Sequence, residues 1–366
     1  MKYLFVIQGE GRGHFTQALS MKEMLEKNGH EVGTVMIGCS AKRVVPEFFL
    51  KKINAEVVRF QSPNFLPSPK SKSSHLLISI VYNLIFLPVY IQSLFRIRKT
   101  IKQAQADVVV NFYELMCGIT YGIFNPQTPM INVAHQYYFK TSSFNYTGKN
   151  PIQFKLLNFF STLTSLNATK ILALSFREES FEQHGNIAIV PPLLRKEVLN
   201  KVPTNGDYIN GYLLNAGYVD ELIDWSLDNP KQMLHFFCDR VADDDEILIP
   251  NLKLHTLSDS LFLEFMAGCK AYATTGGFES VCEAMYLQKP VLMVPTHIEQ
   301  ECNVLDAMRA GAGVGASEFN LDLLLQFLEQ YKKINTFKYW VNSAESVFMH
   351  ELALLPSHNS EILITI

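Results

Sequence analysis

The sequence predicts an α/β protein built as two similar halves, each a parallel sheet covered by helices. Three observations carry this. The 366 residues suit two domains of ordinary size. Short apolar, β-rich runs alternate with helical patterns through the first half, as in a sheet buried on both faces. A cluster of turn-forming residues, Pro191-Pro192, Pro203 and Asn205-Gly206, then interrupts the pattern before it restarts at Tyr208. The expected domains are 1–200 and 207–366, and the C-terminal stretch is expected to be helical and to pack back on the first domain.

In chain order, Tyr3–Gln8 is the first expected strand, followed by a glycine turn and a helix from Phe15 to Asn28. Strands are expected at Glu31–Gly38, Ala55–Phe60, Asp107–Asn111, Met130–Ala134 and Lys170–Leu174. In the second half they are expected at Tyr208–Asn215, Ala271–Thr274 and Val291–Pro295. The apolar run Tyr3–Ile7 is too short for a signal peptide and reads as a buried strand.

A composition of 48% hydrophobic and 18% charged residues supports real cores. The formal net charge of −3 gives no support for a nucleic-acid partner. Six scattered cysteines with no C-x-x-C pair point to thiols in a reducing cytoplasm, and no His/Cys spacing suggests zinc.

Two glycine turns carry the chemistry. The first is Gln8-Gly9-Glu10-Gly11-Arg12-Gly13-His14, directly after the first strand. It fails the dinucleotide pattern, because His14 stands where the third glycine belongs, and the second strand ends in Gly38-Cys39-Ser40 without a ribose-holding acid. A nicotinamide or flavin enzyme is therefore disfavoured. The second is Thr274-Thr275-Gly276-Gly277-Phe278, where a strand runs into a glycine turn and a helix starts at once. Such a helix start offers free N–H groups and a positive dipole end, which suit a phosphate. Glu283 follows two helical turns later, placed for a ribose diol. Glu299 and Gln300 open the helix after the next strand and suit sugar hydroxyls.

The order glycine turn, Glu283, Lys289-Pro290, Pro295 and Glu299-Gln300 resembles the donor motif of GT-B glycosyltransferases. The likeness is to the group that includes the peptidoglycan N-acetylglucosaminyl transferase and the UDP-glycosyltransferases. It implies two Rossmann-like domains facing each other across a cleft. It also implies that Thr275, Gly276, Gly277 and Phe278 hold a donor diphosphate, Glu283 the ribose, and Glu299, Gln300 and Asn303 the donor sugar. Many relatives carry His or Arg where this chain has Thr275. The segment Gly11-Arg12-Gly13-His14 resembles the acceptor-side loop, with His14 either the general base or a residue that positions phosphate or fixes the loop. Glu114, after the Asp107–Asn111 strand, is a second catalytic candidate, since relatives often have Asp where this chain has Asn111. His135 is a further acceptor-side candidate.

The largest retaining class has two glutamates with seven residues between them, and the partner position of Glu283 is Thr275, so inversion is expected. No cofactor or metal is expected; Asp243-Asp244-Asp245 lies in an acidic turn and reads as a solvated loop. The partners implied are a nucleotide-sugar donor, a UDP-sugar first, and a glycan or lipid-linked acceptor. Between Lys72 and Arg96 there is no charged residue, and Leu76–Phe95 has the length of a membrane span. Ser79, Asn83, Pro88 and Gln92, with basic flanks on both sides, argue against spanning. The Leu76–Lys102 stretch, with Arg96, Arg98, Lys99 and Lys102 and with Lys70 and Lys72 upstream, is either a helix on the sheet or a peripheral membrane contact. The expected location is the cytoplasm, at the inner membrane face if the acceptor is lipid-linked. Two rivals stand beside the transferase: a nucleotide-sugar 2-epimerase, which shares this fold, and a non-catalytic nucleotide-sugar-binding protein.

Overall fold

The computed structural model describes residues 1–41, 43–63, 83, 85–179, 185–214, 216–238, 246–256 and 258–355. The Asp243–Asp245 run, Lys70, Lys72 and most of the apolar segment before Leu87 lie outside these.

The first half reads β1 (Lys2–Gln8), α1 (Gly13–Lys27), β2 (Glu31–Cys39), α2 (Glu47–Ile53), β3 (Glu56–Gln61), α3 (Leu87–Ala104), β4 (Val108–Phe112) and α4 (Leu115–Phe124). It continues with β5 (Met130–Ala134), a 3-10 turn at His135–Lys140, α5 (Pro151–Thr164), β6 (Lys170–Leu174), β7 (Ile187–Val190) and the short α6 (Lys196–Leu199). Its seven strands pair in parallel in the order β3-β2-β1-β4-β5-β6-β7. The central strands are apolar throughout because helices cover both faces: Tyr3–Ile7 and Val108–Phe112 are buried without a break.

The second half reads β8 (Tyr208–Leu213), α7 (Val219–Asp228), β9 (Met233–Cys238), β10 (Glu246–Ile249), β11 (Leu252–Thr256), α8 (Asp259–Gly268), β12 (Ala271–Thr274) and α9 (Phe278–Tyr286). There follow β13 (Val291–Met293), α10 (Ile298–Arg309), β14 (Gly313–Gly315), α11 (Leu321–Gln330), α12 (Asn335–Asn342) and α13 (Ala344–Ala353). The sheet order is β10-β11-β9-β8-β12-β13-β14, parallel except for the antiparallel edge strand β10.

Each sheet reverses its winding once, between β1 and β4 and between β8 and β12. Crevices for ligands form at such points, outside the carboxyl ends of the strands. Both glycine turns sit there, one after β1 and one after β12.

The last helices return to the first half. The Trp340 indole donates to the Ser175 carbonyl at 3.0 Å, Lys170 pairs with Glu351 at 2.6 Å, and Lys27 pairs with Glu345 at 2.6 Å. On its other side α12 packs against α9.

Behind the first glycine turn, Glu114 caps α4. Its carboxyl accepts from the Cys117 N–H at 2.8 Å and from the Ser62 hydroxyl, and it is 0% exposed. Gly38 makes room for it, since a Cβ there would lie 2.6 Å from Glu114 Oε1. Burial pushes the carboxyl from 4.5 up to about 7, against the hydrogen bonds from Ser62 and the α4 backbone. The folded protein thus keeps a proton that the unfolded chain releases near 4.5, and this group makes stability fall as pH rises from about 4.5 through about 7. Glu114→Gln keeps the cap acceptor and removes the titration. Thermal melts across that window should show a weaker loss of Tm with rising pH in the variant; parallel curves would refute the assignment.

Candidate active site

The second glycine turn is built for close approach. Gly276 has φ +82°, a conformation other residues rarely adopt, and a Cβ there would meet a Val304 methyl at 2.8 Å. Gly277 then starts α9 in extended conformation (φ −66°, ψ 132°), and a Cβ on it would find only Ser280 Oγ, at 3.8 Å. The first N–H groups of α9 lack helical acceptors for the general reason that every helix start does. Gln300 and Asn303 brace this turn from behind. Asn303 Nδ2 donates to the Gly276 carbonyl at 3.1 Å, and Gln300 Nε2 donates to Thr275 Oγ1 at 3.3 Å. Gln300 Oε1 accepts from the Thr296 N–H and hydroxyl at 2.9 and 2.8 Å. Both side chains were expected on a sugar; here they are buried and hold the phosphate-type turn in shape.

The first glycine turn faces it. The Cβ position of Gly13 lies 3.5 Å from Glu279 Cβ, so the first turns of α1 and α9 touch. Gln17, one turn into α1, donates from Nε2 to Glu279 Oε2 at 3.1 Å, and its Oε1 lies 3.3 Å from His14 Nδ1. With the amide nitrogen committed to Glu279, Oε1 is an acceptor, so His14 carries its proton on Nδ1 and presents Nε2 as a lone pair. Burial lowers the imidazole pKa, partly offset by Glu299 and by the Gln17 hydrogen bond. At neutral pH His14 is therefore an uncharged base. The Tyr113 ring lies nearly parallel to it at 6.0 Å between centroids. Glu299 is held from the first half by Gln136, Nε2 to Oε1 2.9 Å.

Two arginines complete the seam. Arg12 pairs with Asp259 at 3.1 Å and lies over the Phe48 ring at 5.4 Å. Arg195, from the linker after β7, grips Glu283 with two hydrogen bonds, Nε to Oε1 at 2.6 Å and Nη2 to Oε2 at 3.1 Å. Both carboxylate oxygens of the expected ribose ligand are thus engaged by a cation in this closed arrangement.

Two expected site residues are corrected by the structure. Glu114 was a catalytic candidate, yet it is wholly buried and spent on capping α4, with no face toward the cleft. The position beside His14 belongs instead to Tyr113, turned there by a backbone φ of +59°. His135 was an acceptor candidate, yet it is 2% exposed and stacks on Phe278 at 4.0 Å. Its Nδ1 donates to the Leu174 carbonyl at 2.7 Å, and burial drives its pKa to about 3. It is a neutral packing residue that links the halves through Phe278, so the Phe278 side chain is taken up by this contact and by Phe176. Residues that sequence reasoning missed are Gln17, Tyr113, Gln136, Arg195 and Glu279. Of these only Glu279 had a local signal, as an acid in the first turn of the helix after the second glycine turn.

Comparison with known proteins follows this geometry. The chain is similar in structure to the glycotransferase of kitacinnamycin, at 14% identity and TM-score 0.65, covering 97% of this chain and 99% of that one. It is similar to the calicheamicin glycosyltransferase CalG4 at 13% identity and TM-score 0.62, covering 96% and 97%. It is also similar to Phytolacca americana UGT2 complexed with UDP-2fluoro-glucose and pterostilbene, at 12% identity and TM-score 0.61, covering 96% and 98%. At such identities the likeness is one of fold, and the fold is GT-B: two Rossmann-like α/β units. No curated protein matches the chain in sequence. The model of glycosyl transferase family 1 matches residues 1–331, which hold every strand of both sheets, and the chain belongs to that family.

Proposed function

We propose that this glycosyltransferase moves a sugar from a nucleoside diphosphate sugar, a UDP-sugar first among them, to an acceptor hydroxyl in a single inverting displacement that needs no metal. The observation that carries the proposal is the placement of His14. It is an uncharged imidazole, oriented by Gln17, at the point where the two helix starts meet and beside Glu299. In the reaction, the acceptor O–H gives its proton to His14 Nε2 as its oxygen bonds to the anomeric carbon. The bond from that carbon to the diphosphate oxygen breaks in the same step, and the nucleoside diphosphate leaves with the electron pair. The α9 N–H groups at Gly277 and Phe278 and the helix dipole meet the growing negative charge. Glu283 holds the ribose once Arg195 yields, and Glu299 holds the sugar. Gln300, Asn303 and Thr275 act one layer back, on the turn, while Gly11, Arg12 and Gly13 line the acceptor side.

We further propose a lipid-linked acceptor met at a membrane surface. Helices α3, α4 and α5 lie side by side, and apolar side chains point outward from them. On α3 they are Leu87, Ile91 and Phe95, which is 55% exposed; on α5 they are Ile152, at 74%, Leu156 and Phe159. Each set follows one helical stripe, and Arg96, Arg98, Lys99 and Lys102 sit beside the first. Among the described residues no helix is long and apolar enough to cross a membrane, so any contact through these helices is peripheral.

Three measurements test this. Calorimetric titration with UDP and other nucleoside diphosphates should show binding to the wild type, weakened ~10- to 100-fold in Glu283→Ala, the range for loss of charged hydrogen bonds; no binding to any nucleotide would end the donor assignment. With donor and an acceptor panel, His14→Ala should lower kcat by roughly 10²- to 10⁴-fold with donor affinity little changed. Donor turned into an epimer without acceptor would favour the epimerase instead. Flotation with phosphatidylglycerol vesicles should carry the wild type up, and Phe95→Asp with Phe159→Asp should release it; equal recovery of both would refute the surface.

A further inference from the structure

The donor site as it stands has no cation of its own at the turn, because Thr275 occupies the residue before the glycines. Near the start of α9 stand instead two acids one turn apart, Glu279 and Glu283, with Glu283 buried. Burial and the nearby Glu283 push the Glu279 carboxyl up to about 8, while Gln17 and Arg195 pull it down. Arg195 is thus the cation felt by both acids, and it is gripped by both oxygens of Glu283. Before a donor arrives, the arginine at this helix start is already balanced by its Glu283 partner, and Glu279 is held toward its neutral form. A diphosphate adds further negative charge to that balance, and a ribose diol needs the very oxygens Arg195 holds.

Both needs are met by one exchange. We infer that Arg195 is a positioning residue that leaves Glu283 when the donor binds and takes the diphosphate, so that the ribose inherits Glu283. The guanidinium fork that now matches a carboxylate bidentately matches two phosphate oxygens equally well. The side chain starts in the linker, just before α6, α6 packs against α9, and Glu279 in the first turn of α9 already feels the Arg195 charge. The ion pair also keeps Glu283 from standing buried and unpaired before the donor arrives. This rests on the donor site proposed above, and it adds a cation that the glycine motif does not contain.

The test compares UDP with uridine, which has the same base and ribose and no phosphate. Titrations on wild type, Arg195→Gln and Arg195→Lys give the ratio of uridine to UDP dissociation constants, which isolates what the phosphates contribute. In Arg195→Gln that ratio should fall at least ~10-fold, with uridine itself bound as tightly as in wild type or more tightly, since Glu283 no longer has a competitor. Arg195→Lys, which keeps the charge and loses the fork, should fall between them. An unchanged ratio in Arg195→Gln, or in Arg195→Lys should the first variant not fold, overturns the inference. Equal loss of UDP and uridine also overturns it, since Arg195 would then only hold Glu283 in place. A wild type that binds neither UDP nor uridine, and neither GDP nor guanosine, would instead defeat the donor-site reading and this inference with it.

Discussion

Two helices start at the cleft and touch there through their first turns, Gly13 against Glu279. Each N-terminus carries about half a positive charge, so the meeting of α1 and α9 is repulsive unless negative charge lies between them. Much of the seam follows from that constraint. Glu299 lies near His14, and Asp259 holds Arg12 at the start of α1. Glu279, on α9 against Gly13, lies there too, with burial holding its carboxyl toward the neutral form. An anionic donor between the two ends would do the same electrostatic work more completely than these acids do.

The halves meet through pairs that each contribute one polar group per side, Arg12 with Asp259, Gln17 with Glu279, Gln136 with Glu299 and Arg195 with Glu283. Apolar contacts join them as well, among them Phe278 on His135 and on Phe176. The polar pairs are of the kind that yields when a ligand offers equivalent hydrogen bonds. That suits a protein whose substrates enter between its domains.

The fold was legible because its strands are short apolar runs punctuated by glycine and proline. Met130–Ala134, Lys170–Leu174 and Ala271–Thr274 fall where the residues place them. The strands not read from the sequence are β7, β9, β10, β11 and β14. β11 alternates Leu252 and Leu254 with Lys253 and His255, β7 and β10 are edge strands of four residues, β14 has three residues, and β9 carries His235 within its apolar run. At the site, the two glycine turns announced themselves locally, and the partners of their side chains did not. Glu114 has the spacing of a cleft residue and the role of a helix cap, because Gly38 on a neighbouring strand leaves a hole that it fills. Arg195 is a single basic residue in a proline-rich linker; only folding brings it to Glu283, 88 positions away. Tyr113 reaches His14 through a left-handed backbone step that no residue type at that position advertises.

The return of α12 and α13 to the first half has a mechanical consequence. The chain passes between the two sheets twice, once through the Pro191–Gly206 linker and once after α11, and the second passage is fastened by Trp340, Glu345 and Glu351. A body held to another at a single point can tumble in any direction. One held at two points keeps a single easy freedom, rotation about the line that joins them. Motion of one half against the other is therefore that of a door on two hinges.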